Sequence, residues 1–555
     1  MKKSLIYKCL PLLLLVVGCI SNDIPYPVVM PHVLSVEAKG AVDVEIDQQK
    51  REVTVYVSET TDLKTVEVKS VTFDSDLASP SVQLSGVHDL STPLTFTVTT
   101  YQDYEWTLKA VRPVERYFSI AGQIGTSVID PDNCRVVAMV AEDTDLSDLT
   151  VTSLKLGPRE VSTYSLDMDM MKDFSEGLSV DVTAFGETQT WNLYVEVTDI
   201  SVEIVRINPW TASAYVTATA VAENGARFEY RVKNAEEWHA VPSDAVTVNG
   251  GTFVAHIKGL QPETEYEVMV VSGEDKTPAA EFTTAPATPI PNGSFEYASL
   301  VSGTSYYKFY DPYCGVPDGE YMFWGSGNGE GSEGVNGSAN MGIVITTVDT
   351  ENKVDGKQSV CAQTSQMAGI LAAGNLFTGQ FAGLVGTEGG MVNFGRPWTT
   401  RPVAIKLYCR YRTSRIDIIG RKMPPGVTLT KDDYDRAQIK VALGTWDYRT
   451  YGGTKESPVH VNTTNAATFV DFRKDPSTIA EGELIIHNTG YMLNGAAMVD
   501  APTGEWAEYT IPLNYKDLEK LPTHIIVSCA ASQYGDYFTG CSSSKLWIDK
   551  VELVY

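Results

Sequence analysis

The sequence predicts an all-β, multi-domain chain, and three observations carry that prediction. Strand-forming windows dominate, and apolar faces of helical period are scarce, Leu166 to Phe174 being the one short helical stretch in the first half. Part of the sequence repeats at one constant offset: Ile46-Asp47 answers Ile129-Asp130, and Thr61-Asp62-Leu63 answers Thr144-Asp145-Leu146. The chain closes on Lys545 to Tyr555, where Val551, Leu553 and Tyr555 alternate with Lys550 and Glu552 in the period-two pattern of a half-buried strand. A length of 555 residues is too much for one core. At roughly 100 to 200 residues per domain it implies about three to five domains.

Charge narrows the partners. The formal net charge of −27 and pI near 4.7 set up a field that repels phosphate backbones, so nucleic acid is not an expected partner.

From the start of the chain, Lys2 and Lys3 precede the apolar run Leu10 to Val17, which is too short to span a bilayer and ends in Val16-Val17-Gly18-Cys19. Residues 1–18 read as a secretory signal. The tetrapeptide resembles a bacterial lipobox, which implies cleavage before Cys19 and lipidation of that residue. Ile20 stands where an inner-membrane retention aspartate would be, so the expectation is a lipid-anchored outer-membrane protein on the surface or periplasmic face. Residues 19–33, with Pro25, Pro27 and Pro31, read as a linker.

The repeat then gives two immunoglobulin-like sandwiches, residues 34–112 and 113–198, with Trp106 and Trp191 as core plugs. Residues 199–285 carry Leu260-x-Pro262-x-Thr264-x-Tyr266-x-Val268, in which a proline turn delivers Tyr266 so that its hydroxyl can reach back to the loop. That unit resembles a fibronectin type III domain. Residues 286–291 add further prolines and read as a semi-rigid linker.

Residues 292–555 form the last and largest block. It opens on Asn292-Gly293-Ser294-Phe295-Glu296, the expected partner of the closing strand, and is rich in aromatics and glycine-bearing loops. Its distinctive stretches are Ala373 to Gly379, Phe394-Gly395-Arg396-Pro397-Trp398, and the Tyr534 to Gly540 loop before Leu546-Trp547-Ile548-Asp549. On these motifs the block resembles the putative carbohydrate metabolism domain (PCMD) of bacterial lipoproteins and is similar to jelly-roll carbohydrate-binding modules. The resemblance implies a jelly-roll-like sandwich and a glycan-binding lipoprotein of a carbohydrate utilisation system, with an outer-membrane transporter as a further partner.

Ring faces stack on sugar C–H faces, while phenols and guanidinium groups bond hydroxyls. Trp324, Trp398, Arg401, Trp446, Tyr448, Tyr534 and Tyr537 are the expected ligand-binding residues, with Arg396 an alternative to Arg401. In jelly-roll modules the first and last strands lie together, so Glu296 and Asp549 could share a structural calcium, the one cofactor the sequence brings forward. A glycoside hydrolase or carbohydrate esterase in the same domain is the alternative reading, and a structural adhesin or stalk the second. Hydrolysis usually needs two carboxyls about 5 to 10 Å apart. Asp311, Glu320, Asp447 and Asp536 are placed for that role, but none has a distinguishing context and no catalytic residue is assigned. Beyond Cys9 and Cys19, the widely spaced cysteines fit neither a staple framework nor a zinc pattern.

Overall fold

A computed structural model describes residues 30–555 apart from 49, 199–200, 312–320, 330–335, 387, 421–422, 425 and 502–503. The chain forms two compact units, one ending at Arg112 and the other starting at Pro113. The signal, the lipobox and Cys19 lie outside the described residues. Among the described residues no helix is long and apolar enough to cross a membrane.

In the first unit a five-stranded sheet runs in the order Ala41–Asp47, Glu52–Val57, Asp103–Val111, Leu94–Thr99, Ser79–Pro80, facing a sheet of Val33–Ala38, Val66–Phe73 and Gly86–His88. One pairing in it, Glu52–Val57 with Asp103–Val111, is parallel. The second unit opens with the same arrangement: Gln123–Asp130, Arg135–Ala141, Glu187–Thr198, Leu178–Ala184, Thr163–Tyr164, again with one parallel pairing, Arg135–Ala141 with Glu187–Thr198. The sequence repeat is therefore a repeat of topology. Trp106 and Trp191 are fully buried at its equivalent centres. The expected helix at Leu166 to Phe174 is a single 3-10 turn, Met168–Met170, which stops where Met171 leaves helical backbone at ψ 88°, with Met171 and Phe174 both buried.

In the next sandwich, Val202–Pro209, Ser213–Ala220, Thr252–Lys258 and Val246–Asn249 pack against His239–Ala240, Arg227–Val232 and Glu265–Ser272 with its two short partners. The Gln261 N–H donates to the Tyr266 hydroxyl at 2.8 Å, the tyrosine-corner bond that the Leu260 to Val268 spacing predicts. This sandwich meets the preceding one backbone to backbone. Gly251 N donates to Gly125 O at 3.3 Å, and a Cβ on Gly251 would lie 2.4 Å from Gly125 N, so only glycine fits.

The C-terminal sandwich is two sheets over one large core. The smaller sheet runs Thr346–Asp349, Ser359–Gln363, Lys545–Val554, Ala404–Arg412, Ala507–Pro512. Its closing strand is thus central, held by Ser359–Gln363 and Ala404–Arg412, and the Asn292-Gly293 segment is not its strand partner. That segment contributes one backbone bond, Val551 N to Gly293 O at 2.8 Å. Left-handed backbone at Asn292 and Phe295 turns it away, and Lys550, also left-handed, bulges the strand at the point of contact.

The larger sheet runs through Tyr321–Gly325, Asn375–Val385, His524–Ala530, Ala437–Gly444, Thr478–Ile486 and Gly490–Leu493. Ile439, Val441, Leu443, Leu484, Ile525 and Val527 turn inward against Ile405, Leu407, Leu546 and Ile548 of the other sheet. The five described cysteines are free; Cys409 and Cys529 sit in this core, one from each sheet.

A candidate carbohydrate-binding face

With one parity of each central strand committed to the core, the other parity faces out. Along Ala437–Gly444 and the residue before it, Arg436, Gln438 and Lys440 take the outward positions and are half-buried. Register sets Lys440 between Ser528 and Glu483, and Gln438 between Ala530 and Ile485. One step beyond, His487 lies across from Arg436. The other end of this face is covered: Ala442 and Ile526 pack under Trp446, Val459, Val461, Phe469 and Phe472 from the 445–477 excursion. An open floor is left beside a wall.

The loop from Ser532 to Gly540 forms the second border. It leaves the sheet at Gln533, whose N–H donates to Arg436 O at 2.7 Å, and makes a 3-10 turn over Gly535–Tyr537. Asp536, exposed at the turn, comes within electrostatic reach of Lys440. Tyr537 meets Phe469 edge to face at 5.4 Å, closing the loop onto the wall, and partial burial pushes its phenol up to about 12, so it acts as a neutral donor. The loop is braced from beneath by Asp435, which accepts from Ser532 Oγ at 2.6 Å, Ser544 Oγ at 2.9 Å and Cys541 N at 2.8 Å. Burial raises the Asp435 carboxyl above its ordinary value, against the pull of these bonds. Close approach fixes the glycines here: a Cβ on Gly535 would lie 2.3 Å from Ala373 Cβ.

Polar groups on the floor are partly spoken for and partly free. Glu483 accepts from Gln438 Nε2 at 2.7 Å and from Arg473 at 2.9 Å. Gln533 Oε1 and His487 Nε2 are buried without a partner, and burial with Arg436 nearby lowers the His487 pKa, leaving the ring neutral.

Of the expected ligand residues, Tyr534 and Tyr537 lie together on this border, half-buried. Tyr448 sits in the separate helical turn Tyr448–Tyr451, capped by Asp447, and no contact brings it to them. The three tryptophans correct the expectation. Trp324, Trp398 and Trp446 are only 1%, 6% and 2% exposed, so their ring faces are spent on packing. Trp324 lies against Phe295 and Phe323 and donates to Pro291 O; Trp446 donates to Asp475. Trp398 packs edge-on to Phe323.

Arg401 is also turned inward. It donates to Leu518 O at 2.7 Å, Pro209 O at 2.7 Å and Asn208 Oδ1 at 2.9 Å, and its guanidinium lies 4.5 Å from the Trp210 ring centroid. It joins the third sandwich to the fourth, at the edge of a cleft of about 450 Å³. Arg396, the alternative, is buried on Phe323 O, Gly379 O and Ser457 Oγ.

Glu296 and Asp549 do come together, as the chain ends predict, since the Glu296 charge and burial raise the Asp549 carboxyl, burial being the larger cause. Their oxygens are taken by amides: Lys357 N donates to Glu296 at 2.9 Å, and Val354 N and Lys550 N to Asp549 at 2.8 Å each. A ring of N–H donors is the opposite of the carbonyl shell calcium requires, so these residues do not fit the ion. They clamp the 354–358 loop instead. Among the described residues no cluster of three metal-ligating side chains exists.

Of the acids considered for hydrolysis, Asp536 lies at the Gly535–Tyr537 turn near Lys440. Asp447 caps its own turn and pairs with Arg449, which holds it down near 2. Glu320 and the side chain of Asp311 lie outside the described set. Arg436, Gln438, Lys440, Glu483, His487 and Gln533 are not among the residues the sequence motifs single out. The alternation Arg436-Ala437-Gln438-Ile439-Lys440-Val441 was the available signal.

No curated protein matches the chain. Among solved structures, the chain is similar to a putative glycoside hydrolase from Bacteroides thetaiotaomicron VPI-5482, at 14% identity and TM-score 0.28, over 96% of this chain and 98% of that one. It is also similar to a putative glycoside hydrolase from Bacteroides vulgatus ATCC 8482, at 18% identity and TM-score 0.31, over 48% of this chain and 98% of the other. Residues 294–554, the sandwich that carries the outward face, match the family described as the putative carbohydrate metabolism domain, PCMD.

Proposed function

We propose that the C-terminal sandwich binds carbohydrate on the outward face of its larger sheet, in a chain tethered to the outer membrane through Cys19 with the remaining sandwiches as spacers. The observation that carries the reading is the pairing of Tyr537 with Phe469 beside a floor of unspent polar groups, Arg436, Lys440, His487 and Gln533. Sugars ask for that combination: an apolar ring edge or face for their C–H groups and convergent donors and acceptors for their hydroxyls. The brace at Asp435 holds the Tyr534 to Tyr537 turn in place before ligand arrives, which reduces the ordering cost of binding.

Binding is favoured over hydrolysis by what the acids on the face do. Glu481 and Glu483 are neighbours on one strand and share Arg473, and Asn514 further occupies Glu481. Both carboxylates are engaged within the protein, whereas glycoside cleavage usually requires two that face the scissile bond. Glycan-array screening of the mature chain tests the proposal. Binding should be lost in Tyr537→Ala and weakened in Tyr534→Ala, while Tyr448→Ala binds normally. An unchanged profile in Tyr537→Ala, or none of the glycans bound, refutes the assignment of this face; release of reducing sugar from a bound glycan would replace binding with catalysis.

A further inference from the structure

The geometry points to an acidic sugar, a carboxylate-bearing uronate polymer, as the ligand of this face, held by Arg436 and Lys440. The inference rests on the carbohydrate reading above and adds the charge of the ligand.

In this chain 70 acidic residues face 43 lysines and arginines, so an unpaired cation is informative. Several cations elsewhere are matched, Lys406 by Glu552, Arg231 by Glu267 and Lys233 by Glu281. Among the described residues, the Arg436 and Lys440 side chains have no ion pair and no hydrogen bond within the protein. Asp433 and Asp536 lie within electrostatic range, one of each cation, without contacting them. Glu483, the carboxylate directly across from Lys440, is taken by Arg473 and Gln438. Two positive heads therefore stand free on the face bordered by Tyr534, Tyr537 and Phe469.

Their spacing bears on the ligand. Four residues apart on one side of a strand, their Cα positions are separated by about 13 Å, a span that matches successive charges along a polymer better than a single carboxylate. A polymer with repeated charges can engage each in turn. Arg436 is the directional site, because its guanidinium fork matches a carboxylate with two parallel bonds. Beside it lie His487 across the strand pair and Gln533 on the other side, each with a buried polar atom lacking a partner. An unmet buried group of this kind costs about 1–3 kcal/mol. A sugar hydroxyl next to the carboxylate can reach in as these side chains rotate and make those bonds.

Calorimetry on the full mature chain tests this with three polymers: polygalacturonate, its fully methyl-esterified form, and dextran sulfate. Polygalacturonate is expected to bind at least tenfold more tightly than the ester and to weaken with salt. Arg436→Gln should remove most of that preference, and Lys440→Gln part of it, the acid losing at least tenfold more affinity than the ester in Arg436→Gln. Thermal melting of the variants confirms that they fold, and Lys440→Gln keeps the test decisive if Arg436→Gln does not. Equal affinity for acid and ester, or acid binding unaffected by both variants, overturns the inference while leaving the carbohydrate reading intact. Equal or tighter binding of dextran sulfate overturns the uronate assignment in favour of charge alone. If no polymer and no array glycan binds, both readings fall together.

Discussion

Replacing Arg401 tests how the third and fourth sandwiches are held together. Arg401→Met keeps much of the side-chain length but removes the charge and the fork. Three bonds from a charged donor are lost, to Leu518 O, Pro209 O and Asn208 Oδ1, and with them the stacking on Trp210. Hydrogen bonds to charged groups contribute about 1.5–3 kcal/mol each, and a desolvated cation–π contact about 2. These terms are not additive, and the removed guanidinium also relieves its own burial cost. The acceptors left behind are neutral, and an unmet buried group of that kind costs about 1–3 kcal/mol, so a net loss of about 2–4 kcal/mol is expected. It falls on the seam rather than on either core. In urea, followed by tryptophan fluorescence, the wild-type third and fourth sandwiches should unfold together, whereas Arg401→Met should split the transition. Proteolysis within residues 286–291 should accelerate in parallel. Arg401→Lys should restore less than half of the loss, because an ammonium cannot reach three acceptors set in a fork. A change below about 1 kcal/mol with unchanged proteolysis would show that the seam does not depend on this residue.

Further outcomes follow from other sites. Gly251→Ala places a methyl against the Gly125 backbone and should loosen the second sandwich from the third, seen as faster hydrogen exchange at Gly125 and Val221; unchanged protection would refute the close fit. The Asp435 carboxyl is raised in the folded state, so its contribution to stability is greatest below the ordinary aspartate range and falls as pH rises to the raised value. The stability difference between wild type and Asp435→Asn, from urea titrations across acidic pH, should shrink with rising pH and then level off; a difference that grows with pH would contradict the raised pKa. Burial pushes the Cys361 and Cys529 thiols up to about 12 and Cys409 well above its ordinary value, so peptide mapping after alkylation should find Cys134 labelled long before these three. Early labelling of Cys409 or Cys529 would mean that the core opens.

Much of the architecture was legible because it is written in local periodicity. Alternation marked the strands, the constant offset marked a duplicated topology, and the Leu260 to Tyr266 spacing marked a specific bond. What stayed hidden depends on which side of a strand is covered. Phe323 and Trp324 are consecutive and both buried, which no alternation rule anticipates; the strand there is enclosed on both faces. Arg401 finds its acceptors at Pro209 and Leu518, remote in sequence, so nothing near it announces a structural role. The expected calcium failed for a similar reason: Glu296 and Asp549 do converge, but the loop that supplies amides to them could not be foreseen from either end. In the opposite direction, no motif in the sequence singles out Arg436 and Lys440; it is the register that shows the carboxylate across from Lys440, Glu483, already engaged.

The glycine-to-glycine contact at Gly125 and Gly251 and the arginine at position 401 have a joint mechanical meaning. Beads on a string must each be oriented anew when a target arrives, whereas three sandwiches locked at two seams turn as a single lever. The aim of the outward sheet relative to Pro113 is then built in during folding, and under the proposed glycan reading a long, stiff polymer lying at a fixed angle would meet an already levelled surface.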